Sequence, residues 1–228
     1  MPIDKRCATA AEALRDTPHG AVVFISGFGG AGFPNVLIRA LRDAGPRDLT
    51  LVVNSATHRF SFTHELIAAG MVRKVICSAA RGHDKSGLSP FEVLHKEGRI
   101  ELECIPQGTF AERIRAGGAG IPAFYTPVGF GTELTQGKEV RVFNGREHVL
   151  EEAIVGDVAL IRADRADRFG NLTFRYAQAN FSPAMATAAR CTIAEVRDAQ
   201  YDPLPQPEIQ VPSVYVKRVV AVGEGVRP

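Results

Sequence analysis

Through the first two thirds of the chain, short apolar runs rich in β-branched residues alternate with stretches whose apolar positions recur at helical spacing. Parallel strands need crossovers of a dozen residues or more, usually helical, so this alternation confines the chain to βαβ units around a largely parallel sheet. The runs at 21–26, 49–55, 74–78, 100–105 and 123–128 read as its strands. Between them, 34–44 sets Val36, Leu37, Ala40, Leu41 and Ala44 on one helical stripe, Ser89-Pro90 reads as an N-cap with a first-turn proline, and 9–15, 63–69 and 109–116 fit helices. Right-handed crossovers would cover both faces of the sheet.

After residue 130 the texture changes. Two short alternating runs flank Asn144-Gly145, a strong signal for a two-residue hairpin, so an antiparallel element is expected there. Further strands fit 157–162, 192–196 and 214–222, a helix starts near Ser182-Pro183, and 202–212, with four prolines, reads as a surface strap. No repeat or linker divides the chain. The expectation is a single α/β domain over 1–228: an open, mostly parallel sheet with helices on both faces and an antiparallel hairpin excursion.

A length of 228 residues, 45% of them hydrophobic and 23% charged, suits a globular chain that buries a core without disulfides. The 27 basic residues are interspersed among 25 acidic ones, as where Asp164 and Asp167 separate Arg162, Arg165 and Arg168. That pattern argues against a nucleic-acid surface and leaves room for a local pocket for a small anion. No apolar run approaches the roughly 18 residues of a membrane span, and the charged opening MPIDKRCATAAEALRD does not resemble a secretory leader. Cys7, Cys77, Cys104 and Cys191 form no C-x-x-C pair, so they are read as reduced, mostly buried thiols of a cytoplasmic protein rather than metal ligands or a disulfide framework.

The strongest candidate for chemistry is the run SGFGGAG between the first strand and helix. Its residues are Ser26, Gly27, Phe28, Gly29, Gly30, Ala31 and Gly32. A strand, a glycine-rich turn and a helix start can converge backbone N–H groups on an anion. Gly27, Gly29 and Gly32 also satisfy G-x-G-x-x-G. A dinucleotide site, however, wants an acidic residue at the end of the second strand, where this chain has Asn54-Ser55, and Pro34 fits the first helical turn, leaving every glycine in the loop. A plain glycine-rich turn is the remaining alternative.

The segment GAVVFISGFGGAGFP resembles the first signature of the family I coenzyme A transferases of the succinyl-CoA:3-oxoacid and 3-oxoadipate kind. Gly20, Gly27, Phe28, Gly32 and Pro34 match, while His19 and Ser26 depart from the pattern. The likeness continues through 105–134, 137–154, 167–175 and 180–189 to the last strand, and so covers essentially the whole chain. It implies a ping-pong reaction in which a glutamate carboxylate attacks an acyl-CoA thioester. That glutamate belongs to an S-E-N-G motif this chain lacks. The resemblance therefore implies a non-nucleophile α (A) subunit, active only in a heterodimer or heterotetramer with a β subunit carrying S-E-N-G. Coenzyme A would enter as part of the substrate, with no tightly bound cofactor, metal, nucleic acid or membrane partner.

The resemblance further assigns the loop from Ser26 to Gly32 to CoA binding, Asn54 and Ser55 to substrate contacts, and Gln107 to the reacting centre as an oxyanion or substrate contact. It leaves two rivals open: a CoA-ester hydrolase subunit, and a non-catalytic CoA- or dinucleotide-binding module. Glu65, Glu112, Glu133, Glu151 and Glu152 read as solvated surface. The run from Gly117 to Gly120 reads either as a helix end or as a second border of the site. His58, His64 and His83 read first as structural or surface groups and second as shapers of an acid pocket. The accepting acid is not legible.

Overall fold

The computed structural model describes residues 3–81 and 87–225; His83 lies outside the described residues. In chain order the elements begin with β1 (Arg6–Cys7), α1 (Ala10–Leu14), β2 (Val22–Ile25), α2 (Asn35–Ala44), β3 (Leu49–Val53), α3 (Thr63–Ala68), β4 (Val72–Cys77), α4 (Pro90–Lys96), β5 (Glu101–Cys104) and α5 (Gln107–Gly118). They continue with β6 (Ala123–Thr126), β7 (Val140–Phe143), β8 (Arg146–Glu152), β9 (Gly156–Ala166), β10 (Leu172–Thr173), α6 (Ser182–Ala188), β11 (Ala189–Ala199) and β12 (Val216–Ala221).

The main sheet runs β1-β12-β11-β9-β2-β3-β4-β5, every neighbouring pair parallel, with β10 antiparallel beside β9. Alternation along its strands supplies two cores. Val23, Ile25, Leu51 and Leu160 face Leu37, Leu41, Leu66 and Phe91 of α2, α3 and α4. Phe24, Val52, Ala159 and Ile161 face Phe110 and Ile114 of α5 and Met185 of α6. Both faces are covered, as expected from sequence.

Local signals set several boundaries. The Thr9 side chain caps α1 by accepting from the Glu12 amide at 3.0 Å, and Ser89 with Glu92 forms a capping box ahead of Pro90. The Asn144-Gly145 turn has φ of 52° and 75°, the primed geometry of a two-residue hairpin.

Three expectations need correction. The run at 123–128 does not extend the parallel sheet: β6 pairs antiparallel with β8, making a separate sheet ordered β6-β8-β7. An apolar run signals a strand but does not name its partner. The α2 stripe is rotated, burying Asn35, Leu37, Ile38 and Leu41 and leaving Ala44 exposed. Among the four free cysteines only Cys77 is fully buried, and burial pushes its thiol up to about 12.

Candidate active site

Four neighbouring strands, β2, β3, β4 and β5, end on one edge of the sheet, where ligands of open α/β sheets bind. The loop after β2 lies where strand order reverses, since the chain moves outward through β3, β4 and β5 and then returns to β2's other side as β9.

The glycine loop is a closed hairpin. Phe28 and Ala31 exchange two backbone hydrogen bonds of 3.0 Å, placing Gly29-Gly30 at an exposed tip. Buried Ser26 closes the base by donating from Oγ to the Gly32 carbonyl at 2.7 Å and accepting from the Arg162 amide at 3.2 Å. Asn180 ties the loop down, its Oδ1 accepting from the Gly27 amide at 3.1 Å and its Nδ2 donating to the Ala31 carbonyl at 3.1 Å. A Cβ on Gly27, which sits at φ +126°, would lie 2.2 Å from the Phe33 ring, and one on Gly32 would lie 2.5 Å from Asn180 Nδ2. These two glycines answer to packing within the chain. Gly29, at φ +60°, has open space around it.

The arrangement narrows what the loop can offer an anion. The amides of Gly27, Phe28 and Ala31 are already bonded, leaving those of Gly29, Gly30 and Gly32 without partners among the described residues. The N-terminus of α2 is taken as well: Glu195 of β11 accepts from the amides of Val36 and Leu37 at 2.8 and 3.0 Å. Glu195 is 1% exposed and pairs with Arg162 of β9 at 3.0 Å. Burial raises its carboxyl above the usual range, against the opposing pull of Arg162 and the two amides. An acid of the chain itself occupies the place where an external anion was expected. Sequence reading missed this pair, because alternating charge along a strand looks like a solvated face.

Asn54 and Gln107 are brought together. Gln107, exposed at the first position of α5, reaches across the end of β4 and donates from Nε2 to Asn54 Oδ1 at 2.8 Å. It is the first residue of the helix. Ser78, just past β4, donates to the Asn54 carbonyl at 3.0 Å and to Asn54 Oδ1 at 2.9 Å. Asn54 Nδ2 has no partner among the described residues. Asn54 and Ser55 share a small cavity with Ser26, Gly27, Phe33, His58, Ser61 and Thr63, so the loop base and the β3 end line one space. On the loop's other flank, Gly30, Ala31 and Gly32 line a cleft of about 320 Å³ with Phe60, Arg175, Tyr176 and the Arg162–Glu195 pair.

The remaining candidates divide between this cavity and the surrounding fold. His58 packs against Phe33 in a tilted arrangement, 4.6 Å between ring centroids, and lines the small cavity, whereas His64 bonds the Ser61 carbonyl at 2.9 Å. Gly117 and Gly118 lie inside α5, where a Cβ would meet the Ile154 carbonyl at 2.1 Å and Thr187 Oγ1 at 2.0 Å, so they allow α5 to pack closely against its neighbours. Glu151 is not a solvated residue: 2% exposed, it pairs with Lys138 at 2.6 Å. Asp167 anchors its turn by accepting from the amides of Phe169 and Asn171, both at 3.0 Å.

The family model for coenzyme A transferase matches residues 7–222. The chain is similar to the A subunit of the 3-oxoadipate CoA-transferase of Pseudomonas putida, 44% identical over 96% of this chain and 94% of that one. It is also similar to the A subunit of the succinyl-CoA:3-ketoacid coenzyme A transferase of Xanthomonas campestris pv. campestris, 45% identical over 95% of this chain and 88% of that one. Among solved structures, the apoenzyme of an acyl-CoA transferase from Escherichia coli O157:H7 shares the fold, with a TM-score of 0.80 at 22% identity. That match covers 97% of this chain and 48% of the longer one.

Proposed function

The chain belongs to the coenzyme A transferase family, and on that premise we propose that it is the A subunit of a heteromeric enzyme moving CoA from succinyl-CoA or another acyl-CoA to a 3-oxoacid. The 3-oxoadipate and acetoacetate classes lead, in keeping with the names of the relatives. A B subunit supplies the nucleophilic carboxylate, and CoA arrives as part of the substrate.

The observation that carries this reading is the chemistry of the Asn54–Gln107 cluster. Asn54 Oδ1 is already engaged by Ser78 and Gln107, while Asn54 Nδ2 and the second Nε2 hydrogen of Gln107 can donate to a ligand. The adjoining cavity is lined by Ser26, Asn54, Ser55, His58, Ser61 and Thr63 among others, and by no carboxylate or thiol. Such a site offers donors to a developing charge, and on this reading the attacking carboxylate comes from the B subunit. When a carboxylate adds to the thioester carbonyl, electrons move to the carbonyl oxygen and an oxyanion forms. Collapse expels the CoA thiolate and leaves an acyl anhydride; the thiolate then attacks the anhydride, and the carboxylic acid departs from an enzyme thioester. Each addition places negative charge on one oxygen, where the second Gln107 N–H can donate. The neutral amide cannot compete as a nucleophile.

The test compares the purified chain with the chain plus its B subunit, using succinyl-CoA with 3-oxoadipate or acetoacetate. Turnover is expected only for the pair. Robust transfer by the single chain would overturn the division of labour.

A further inference from the structure

Single exposed apolar side chains are ordinary, but several gathered on one surface mark a place that another molecule covers. Val128, Phe130, Leu134, Val140 and Val142 are all exposed, Val142 at 64%. Strand alternation puts Val140 and Val142 on the same face of β7, and Val140 is the register partner of Val149 on β8. Phe130, Val140 and Val149 line one open groove of about 360 Å³ with Thr132 and Thr135, and Glu133 is the one charged group among its described lining residues. The groove is preformed, because the hydroxyls of Thr132 and Thr135 both donate to the Gly129 carbonyl at 2.7 Å and fix the loop that walls it. The same loop reaches the reacting centre. A Cβ on Gly129 would lie 3.6 Å from Pro106 Cγ, and Pro106 immediately precedes Gln107.

We propose that this groove seats an apolar ridge of the B subunit, and that the contact brings the partner's carboxylate to Gln107. The proposal rests on the reading that a B subunit supplies the nucleophile. A carboxylate carried by another chain reaches the Gln107 amide only if that chain lies against the surface around it, and the groove begins one residue away, where Gly129 meets Pro106. Covering Phe130, Val140 and Val142 removes apolar surface from water, the dominant favourable term in association. A groove with a single charged lining residue calls for an apolar ridge at its centre. A second copy of this chain could cover the same patch, but it carries no S-E-N-G glutamate to present to Gln107.

The experiment titrates the purified chain with its B subunit, reading the Kd of assembly and, separately, the B concentration that half-saturates turnover. Phe130→Asp and Val142→Lys each place a charge in the contact and should weaken assembly about 30-fold or more, the scale of an interface hot spot, with the half-saturating concentration rising in step. Val214→Lys, at an equally exposed apolar residue beside β12 on the far side of the main sheet, should leave both unchanged. Melting temperatures of the lone variants report folding. If Phe130→Asp unfolds, Val142→Lys, on the edge strand of the small sheet, carries the comparison. Wild-type assembly in Val142→Lys, or an equal loss in Val214→Lys, overturns the groove as the B-subunit seat. Self-association of the lone chain that Val142→Lys abolishes while assembly with B persists assigns the groove to a second copy and also overturns it. Turnover by the chain without any B subunit overturns instead the reading on which the proposal rests.

Discussion

Arg162 and Glu195 are register partners on β9 and β11, joined by a 3.0 Å ion pair that is almost wholly buried and sits beneath the first turn of α2. The pair replaces a side-chain cap, which α2 lacks. Removing one member of a buried pair strands the other, so Glu195→Ala is expected to cost about 3–5 kcal/mol. Glu195→Gln should cost less, because its oxygen can still accept from the Val36 and Leu37 amides. Denaturant midpoints measure both; a Glu195→Ala cost below about 1 kcal/mol would contradict this account.

Gln107→Ala in the assembled enzyme should lower kcat by roughly 10²-fold, the scale for losing one oxyanion donor, with a smaller change in KM. Gln107→Glu should be worse, since a carboxylate would face both Asn54 Oδ1 and the oxyanion. Melting temperatures measured alongside separate catalysis from folding: lost stability with near-normal kcat would reduce Gln107 to a helix-start residue.

The glycines of the loop should separate into two kinds. Gly27→Ala drives a methyl into the Phe33 ring and should lower the melting temperature sharply. At Gly29 a side chain meets nothing of this chain and carries only the left-handed backbone cost, about 1–2 kcal/mol. Gly29→Val should therefore leave the fold largely intact and impair turnover through whatever passes over the loop tip. Unchanged kcat and KM in Gly29→Val would make the tip a structural turn.

Hydrogen bonding from Arg197 holds the Asp164 carboxyl below its usual range. A carboxyl depressed on folding contributes stability above its unfolded value and loses it as pH falls through its folded value. Wild-type stability should therefore decline at acid pH more steeply than that of Asp164→Asn, and the gap between the two should narrow. Unfolding midpoints taken from about pH 6 down to about pH 3 give the comparison; parallel profiles would exclude the linkage.

The strand-and-helix alternation was legible because periods of 2 and 3.6 are written locally, and so was the hairpin at Asn144-Gly145. Pairing partners were not. The strand now at β6 carries the same apolar signal as its parallel neighbours and yet joins another sheet. Of the candidate site, Asn54 and Gln107 came from the resemblance, and the structure brings the two into contact across 53 positions. Ser78, Asn180, and the Arg162–Glu195 pair carry no local mark. Each acts through a partner brought to it by tertiary folding, and Arg162 and Glu195 are themselves 33 positions apart.

Asn180 holds the Gly27 amide from 153 positions away, and Glu195 holds the start of α2 from 159. During synthesis from the N-terminus, the glycine loop therefore exists long before the side chains that give it its shape. The sheet can begin at β2 and β3, and the Phe28–Ala31 hairpin can close, from local contacts, but the loop is not tied down until the distant segment docks. A chain halted before Asn180 would hold the glycines and Gln107, and would lack the side chain that bonds the Gly27 amide and the Ala31 carbonyl.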